Sequence, residues 1–186
     1  MKKRLFSAAW LLLLAAGFTF GVSLAALAAP GKGIGNGPPV GLDCPEGQNV
    51  VVHLKRHIND LQGAQVAVNL ATVLESQVID MPGNSPDQPV RVTLFLTLQG
   101  PRLVDPANPQ DLKFGSLDLT LEDLTKGFLE AGGTIYLCPL CAIEIGLNPA
   151  EDPELLYADD YPGQVKIATK PDIVKTFLCA QKVLDF

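Results

Sequence analysis

The feature that most restricts the fold of this chain is the alternation of strand-like and helix-like segments from residue 49 onward. Apolar residues recur at steps of three and four over 58–76 and 119–131, a pattern typical of amphipathic helices. Short apolar, β-branched runs predict strands at 49–54, 90–98, 134–137, 165–168 and 182–186. Alternating strands and helices build a mostly parallel sheet with helices on both faces. The sequence therefore predicts a single α/β domain.

The connecting segments agree with this architecture. Thr169, Pro171 and Asp172 form a helix start, with a capping threonine, a proline in the first turn and an acidic residue three positions after the cap. We expect this helix to run to about Ala180. The stretch 101–116 contains three prolines and little periodicity, and predicts a long loop. We also predict an acidic loop at 148–163.

The first residues have the features of an export signal. Residues 1–4 are cationic after the initial methionine, residues 5–27 contain no ionisable side chain, and Ala26-Leu27-Ala28 is a small-x-small cleavage motif. We therefore predict that residues 1–28 are a signal peptide. The apolar stretch approaches the about 20 residues that span a bilayer, so a retained anchor is the alternative, and we expect membrane contact only in that case. Both alternatives predict a periplasmic or secreted protein.

Residues 29–48 separate the signal from the predicted domain at 49–186. The segment 31–39 is so rich in glycine and proline that it predicts a flexible linker. Its glycines loosely match a dinucleotide-binding loop, but no strand precedes them and no helix follows. The formal net charge of −6 argues against a nucleic-acid partner, because phosphate binding needs clustered lysine and arginine.

The four cysteines are informative because an exported chain meets an oxidising environment. Cys138 and Cys141 are spaced as in redox dithiols or half of a zinc site, a spacing that is rare in a structural bridge. Cys138 directly follows the strand 134–137, and ligands collect at the carboxyl ends of parallel strands. If a helix begins at Pro139, its N-terminus favours a thiolate on Cys138. A bridge between Cys44 and Cys179 stays open.

The loop after the first strand supplies three candidate supporting residues, Lys55, Arg56 and His57. Because this loop leaves the same edge of the sheet, we expect a positive group near Cys138. His53 lies within the strand and is expected to be a buried, hydrogen-bonded histidine. A zinc site made of both histidines and both cysteines of the pair is disfavoured because the two histidines occupy different local positions. We therefore expect no metal and no cofactor.

The chain also resembles the DsrE/DsrF-like family, which includes the TusD-type sulfur-relay proteins, over residues 49–186. The resemblance rests on Gly-Gly-Thr-Ile-Tyr-Leu-Cys-Pro-Leu-Cys-Ala-Ile-Glu-Ile-Gly-Leu at 132–147, on Phe-Leu-Cys-Ala-Gln-Lys-Val-Leu-Asp-Phe at 177–186, and more weakly on Leu-Gln-Gly at 98–100. It implies a flavodoxin-like fold, trimers or hexamers, and a cysteine that carries persulfide sulfur. Cys138 matches the sulfur-accepting position, and Cys141 matches a second cysteine found in part of the family.

Three functional hypotheses follow from these observations. In the first, the protein is a sulfur carrier of the sulfurtransferase type, Cys138 accepts sulfane sulfur, and donor and acceptor proteins or small thiols are its partners. In the second, Cys138 and Cys141 form a thiol-disulfide redox module. In the third, the protein is a non-catalytic, oligomeric binding domain and the cysteine pair is a structural bridge.

Overall fold

The computed structural model describes residues 42–79, 88–108, 111–113 and 118–186. The predicted signal peptide at 1–28 and most of the predicted linker at 29–48 lie outside the described residues, as does most of the turn-rich segment 81–89. Across the described ranges, no helix combines the length and the apolar character needed to cross a membrane.

The described part of the chain forms six strands and four α-helices. The strands are β1 (Gln48–Leu54), β2 (Val78–Ile79), β3 (Gln88–Leu96), β4 (Thr134–Leu137), β5 (Gln164–Ile167) and β6 (Lys182–Asp185). The helices are α1 (Leu61–Glu75), α2 (Leu121–Glu130), α3 (Pro139–Glu144) and α4 (Lys170–Cys179). Short 3-10 turns occur at Ile58–Asp60, Gly100–Val104 and Pro149–Glu151.

Five of the strands form a parallel sheet in the order β5-β4-β3-β1-β6, and β2 pairs antiparallel with the start of β3. The chain steps from β1 through β3 and β4 to β5 in one direction, then returns across the sheet to β6. Because crossovers between parallel strands are right-handed, the return connection places α4 on the face opposite α1 and α2. The predicted α/β architecture, parallel and flavodoxin-like with helices on both faces, is confirmed.

The two faces of the sheet are packed unequally. One face forms the main core with α1 and α2, and its largest fully buried side chain is Phe128. The other face carries a small cluster of Val51, Phe95 and Ala168, which Ile173 and Phe177 cover from α4. Successive residues of a strand point to opposite faces, and this alternation separates the two clusters.

Capping and a covalent link define the ends of α4. Thr169 and Asp172 form a capping box, in which each side chain accepts the backbone N–H of the other residue, as the sequence predicts. At the other end, Cys179 forms a disulfide with Cys44. This pairing answers the question that the sequence left open. It ties the segment before β1 to the end of α4.

Several boundaries differ from the predictions. The strand predicted at 90–98 ends at Leu96, and the loop predicted at 101–116 begins with a 3-10 turn. Gly100 permits that turn, because a Cβ at this position would lie 2.4 Å from the carbonyl oxygen of Leu54. Helix α3 begins at Pro139, the residue at which the sequence permits a helix start. The two-residue β2 was missed because it is too short to show a period.

Two glycines test how closely the segment before β5 packs against the segment after α2. A Cβ on Gly163 would lie 2.3 Å from the carbonyl oxygen of Gly133, whereas a Cβ on Gly127, inside α2, has no heavy atom within 4 Å. We expect Gly163→Ala to lower the free energy of unfolding by about 1–3 kcal/mol. Gly127→Ala should raise it by about 0.5–1 kcal/mol, because alanine favours a helix interior. Urea denaturation of both variants checks this, and equal effects would contradict it.

Candidate functional site

Cys138 is the first residue beyond β4 at the carboxyl edge of the sheet. Its backbone is extended, at φ −62° and ψ 122°, and it occupies the N-cap position of α3. Its amide donates to the carbonyl oxygen of Leu96 at 2.9 Å, and its own carbonyl accepts the amide of Ala142 at 2.9 Å. These bonds hold the backbone of Cys138 between strand and helix. Its half-buried side chain packs against the Val51, Phe95 and Ala168 cluster.

Cys141 lies in the first turn of α3, and its thiol is free and half-buried like that of Cys138. Burial raises the pKa of the Cys141 thiol, and the neighbouring Cys138 side chain acts in the same direction. The backbone amide of Leu98, which donates to the Cys141 sulfur, partly offsets this increase. The two thiols therefore lie close to one another, and burial favours the protonated form of Cys141.

Of the three predicted supporting residues, two form ion pairs with carboxylates, and the third is buried without a side-chain hydrogen bond to a described residue. Lys55 forms an ion pair with Asp185, at 2.5 Å between Nζ and Oδ2. Arg56 is exposed and pairs with Asp60 one turn later, at 3.3 Å. His57 is fully buried. A supporting role for these three residues in the chemistry of Cys138 stays a prediction.

His53 is hydrogen-bonded on both ring nitrogens. Nδ1 lies 2.9 Å from the Asp185 carboxylate, and Nε2 lies 2.7 Å from the Thr97 hydroxyl. Burial lowers the pKa of His53, while Asp185 acts in the opposite direction. The ring thus joins β1 to β6 and to the residue that follows β3. The predicted hydrogen bonds are present, but the ring is half-buried rather than buried. Among the described residues, no group of three or more His, Cys, Asp or Glu side chains is placed to hold a metal ion.

Sequence reasoning missed Asp185 and Leu98. Asp185 is opposite His53 in the register of β1 and β6, a pairing of residues 132 positions apart that no local motif reveals. Leu98 adopts a left-handed backbone, at φ +52°, which is unusual for a residue with a side chain. That turn carries the amide that reaches Cys141. The only local signal was the Leu-Gln-Gly resemblance at 98–100.

Exposed apolar side chains surround the cysteine pair. Leu140 lies between the two cysteines in sequence and is 73% exposed, and Leu98 and Ile143 are 56% and 52% exposed. Large apolar side chains so close to a reactive centre are typical of surfaces that contact another molecule. We refer to Leu98, Leu140 and Ile143 as the apolar rim.

An acidic groove adjoins the pair on the side of β5. The groove has a volume of about 800 Å³ and extends from Pro139 to the first residue of α4. Its carboxylates come from Asp152, Glu154 and Asp159, none of which forms an ion pair with a described residue. Lys166 and Lys170 also line the groove, and Lys166 pairs with Asp172. The carboxylates therefore outnumber the lysines in a groove that reaches Pro139, the residue after Cys138.

Comparisons with known proteins find a similarity in structure and none in sequence. No protein-family model matches the sequence, and no curated protein sequence matches it. A search of solved structures finds a crystal structure of the ychN protein from E. coli. The match covers 75% of this chain and 99% of that chain, at 15% sequence identity and a TM-score of 0.48.

The acidic groove should make Cys138 prefer positively charged reagents. In a Cys141→Ser background, we expect Cys138 to react faster with the cationic trimethylammonioethyl methanethiosulfonate than with its anionic sulfonatoethyl counterpart. Replacing Asp152, Glu154 and Asp159 by their amides should lower the ratio of the two rates by about three- to tenfold, and added salt should lower it in the parent. Stopped-flow kinetics measure the rates of reaction with the two reagents.

A matched control separates the groove from the overall charge of the protein. Asp111→Asn, Asp118→Asn and Glu130→Gln together remove three exposed carboxylates that do not line the groove. This variant should keep the rate ratio of the parent. An equal fall in both variants would contradict a local effect.

His57 should make the protein less stable in mild acid. Burial and, to a smaller extent, the nearby charge of Arg102 lower its pKa from 6.5 to about 4, although Asp105 acts in the opposite direction. Between these two values the unfolded chain binds a proton that the folded chain excludes. The free energy of unfolding should therefore fall by about 3 kcal/mol from pH 7 to pH 4 through this group.

Urea denaturation of the parent and of His57→Gln at pH 4, 5, 6 and 7 checks this expectation. Other groups titrate in both proteins, so the difference between the two curves isolates His57. The free energy of unfolding of the parent, minus that of His57→Gln, should increase as the pH rises. Parallel curves would show that His57 does not exclude a proton in the folded state.

Proposed function

We propose that this protein is a periplasmic or secreted sulfur carrier of the sulfurtransferase type, in which Cys138 accepts sulfane sulfur as a persulfide. The observation that carries the proposal is the unequal thiol pair at the carboxyl edge of the sheet. Cys138 is partly accessible, it follows β4 directly at the N-cap of α3, and the free thiol of Cys141 lies near it. A cysteine attacks sulfane sulfur as its thiolate.

The transfer balances without an external oxidant. The Cys138 thiolate attacks the outer sulfur of a donor persulfide, a bond forms between Cys138 and that sulfur, and the donor leaves as a thiolate. In the second step, the thiolate of an acceptor attacks the outer sulfur on Cys138. The bond to Cys138 then breaks, and Cys138 returns to its starting state.

Cys141 acts as the accessory thiol. Its proton stabilises charge on the neighbouring sulfur while Cys138 is a thiolate or carries a persulfide. When no acceptor arrives, Cys141 can attack the Cys138 sulfur of the persulfide, which forms a Cys138–Cys141 disulfide and releases hydrosulfide. A small thiol would then reduce that disulfide. Cys141 thus resolves the persulfide.

We further propose that the protein acts as a homo-oligomer, a trimer or hexamer, and exchanges sulfur with donor and acceptor proteins or small thiols. The apolar rim supports contact with other molecules, because its three large side chains are more than half exposed next to the cysteines. The acidic groove favours partners that present positive charge beside Pro139.

A thiol-disulfide redox module is the second candidate function. The proximity of two free thiols favours it, since the same pair could exchange electrons through an internal disulfide. The two functions differ in what Cys138 carries. A carrier holds an additional sulfur atom, whereas a redox module holds only the disulfide.

Intact mass spectrometry distinguishes the candidates. After incubation with polysulfide, a sulfur carrier gains one sulfur atom. Cys138→Ser should abolish this gain, and Cys141→Ser should retain it and prolong its lifetime, because the resolving thiol is absent. The Cys44–Cys179 disulfide provides an internal control, since its mass contribution should stay constant.

The remaining outcomes point to the alternatives. Failure of Cys138 to load sulfur would overturn the carrier proposal. Reversible formation of a Cys138–Cys141 disulfide with small thiols, without loading, would establish the redox module. A pair that neither loads nor exchanges would leave the binding-domain hypothesis.

A further inference from the structure

The face of the sheet beneath α4 is only partly covered. A parallel sheet covered on both faces carries apolar residues on both faces. Here the residues that point towards α4 from β3 and β4 are largely polar, and they include Arg91, Thr93, Thr134 and Tyr136. One helix cannot cover five strands, so this part of the sheet remains open to solvent beside the Val51, Phe95 and Ala168 cluster.

A cleft of about 310 Å³ occupies this position. Its floor is the polar surface of β3 and β4, and one wall is the side of α4 that carries Lys175 and Thr176. Pro45 and Cys179 line it near the disulfide to Cys44. Neither Cys138 nor Cys141 lines the cleft, which is therefore distinct from the candidate site already described.

Two cations in this cleft form no ion pair with a described residue. Arg91 and Lys175 are both exposed, and no described carboxylate lies within ion-pairing distance of either. The two carboxylates that line the cleft are engaged elsewhere. Glu75 accepts the backbone amide of Val92, and Asp172 accepts the Thr169 amide and hydroxyl and also pairs with Lys166. Arg91 affects Glu75 only at longer range.

Three hydroxyl groups accompany the cations. Thr93, Thr134 and Thr176 line the cleft, and within the described ranges their hydroxyls make no hydrogen bond. Hydroxyl donors and positively charged groups are the partners that oxyanions prefer. The ring of Tyr136 and the side chains of Pro45 and Val51 add an apolar surface.

We propose that this cleft binds a small organic oxyanion, a carboxylate or phosphate group attached to a short apolar body. Arg91 and Lys175 hold the charge, the threonine hydroxyls donate to the oxygens, and Tyr136 contacts the apolar part. The protein has a formal net charge of −6. Two cations without ion pairs therefore distinguish this cleft from the acidic protein as a whole. This inference goes beyond the proposed sulfur transfer and does not depend on it.

Nuclear magnetic resonance of threonine-methyl-labelled protein tests the proposal. The probes are inorganic phosphate and acetate, titrated at constant ionic strength. We expect saturable shifts of the Thr93, Thr134 and Thr176 methyl signals. Arg91→Gln and Lys175→Gln should each weaken binding by about tenfold or more, because each removes a charge-assisted hydrogen bond.

Matched variants control for charge and folding. Lys113→Gln and Lys170→Gln remove exposed cations that do not line the cleft, so they should bind as the parent does. Thr93→Val keeps the shape of the side chain, should preserve the strand, and should weaken binding by removing one donor. Unchanged signals elsewhere in each spectrum show that the variant is folded.

The two probes also identify the preferred group. Saturation by phosphate alone assigns a phosphate group, and saturation by acetate alone assigns a carboxylate. Either result supports the proposal. Absence of saturable shifts with either probe would overturn it. So would equal affinities for the parent, Arg91→Gln and Lys175→Gln.

Discussion

The candidate site depends on the register of the central parallel strands. Leu54, Leu96 and Leu137 lie side by side across β1, β3 and β4, and all three are fully buried. The next residue of each chain segment leaves the sheet at the same level. The Thr97 amide therefore reaches the Leu54 carbonyl, and the Cys138 amide reaches the Leu96 carbonyl. A slip of one residue in any strand would turn these leucines to the other face and separate the site.

Within this frame, the two cysteines of the pair occupy different positions. Cys141 lies in the first turn of α3, where burial and Cys138 both raise the pKa of its thiol. Cys138 lies at the end of the strand, at the N-cap of the helix. The sequence motif is nearly symmetric, but the two positions are not. The carrier and redox hypotheses both use this asymmetry and differ in whether an additional sulfur atom is held.

Much of the fold was predictable because its signals are local. β4 matches the predicted strand at 134–137, and the α4 capping box matches the predicted helix start at Thr169. The turn at Leu98 was not predictable, because a leucine with a left-handed backbone contradicts its own preference and is held by the surrounding structure. The same applies to Asp185, which contacts His53 only because β6 returns to the side of β1.

The cysteine spacing, the helix caps and the strand pattern are properties of neighbouring residues, so the sequence by itself determined the α/β class and the place of Cys138 after a strand. The surroundings of Lys55, Arg56 and His57 were decided by the tertiary structure. Side chains from one loop point in different directions, and contacts with distant segments determine whether each is paired, exposed or buried. The same reason explains the pairing of Cys44 with Cys179, which needed two distant segments to meet.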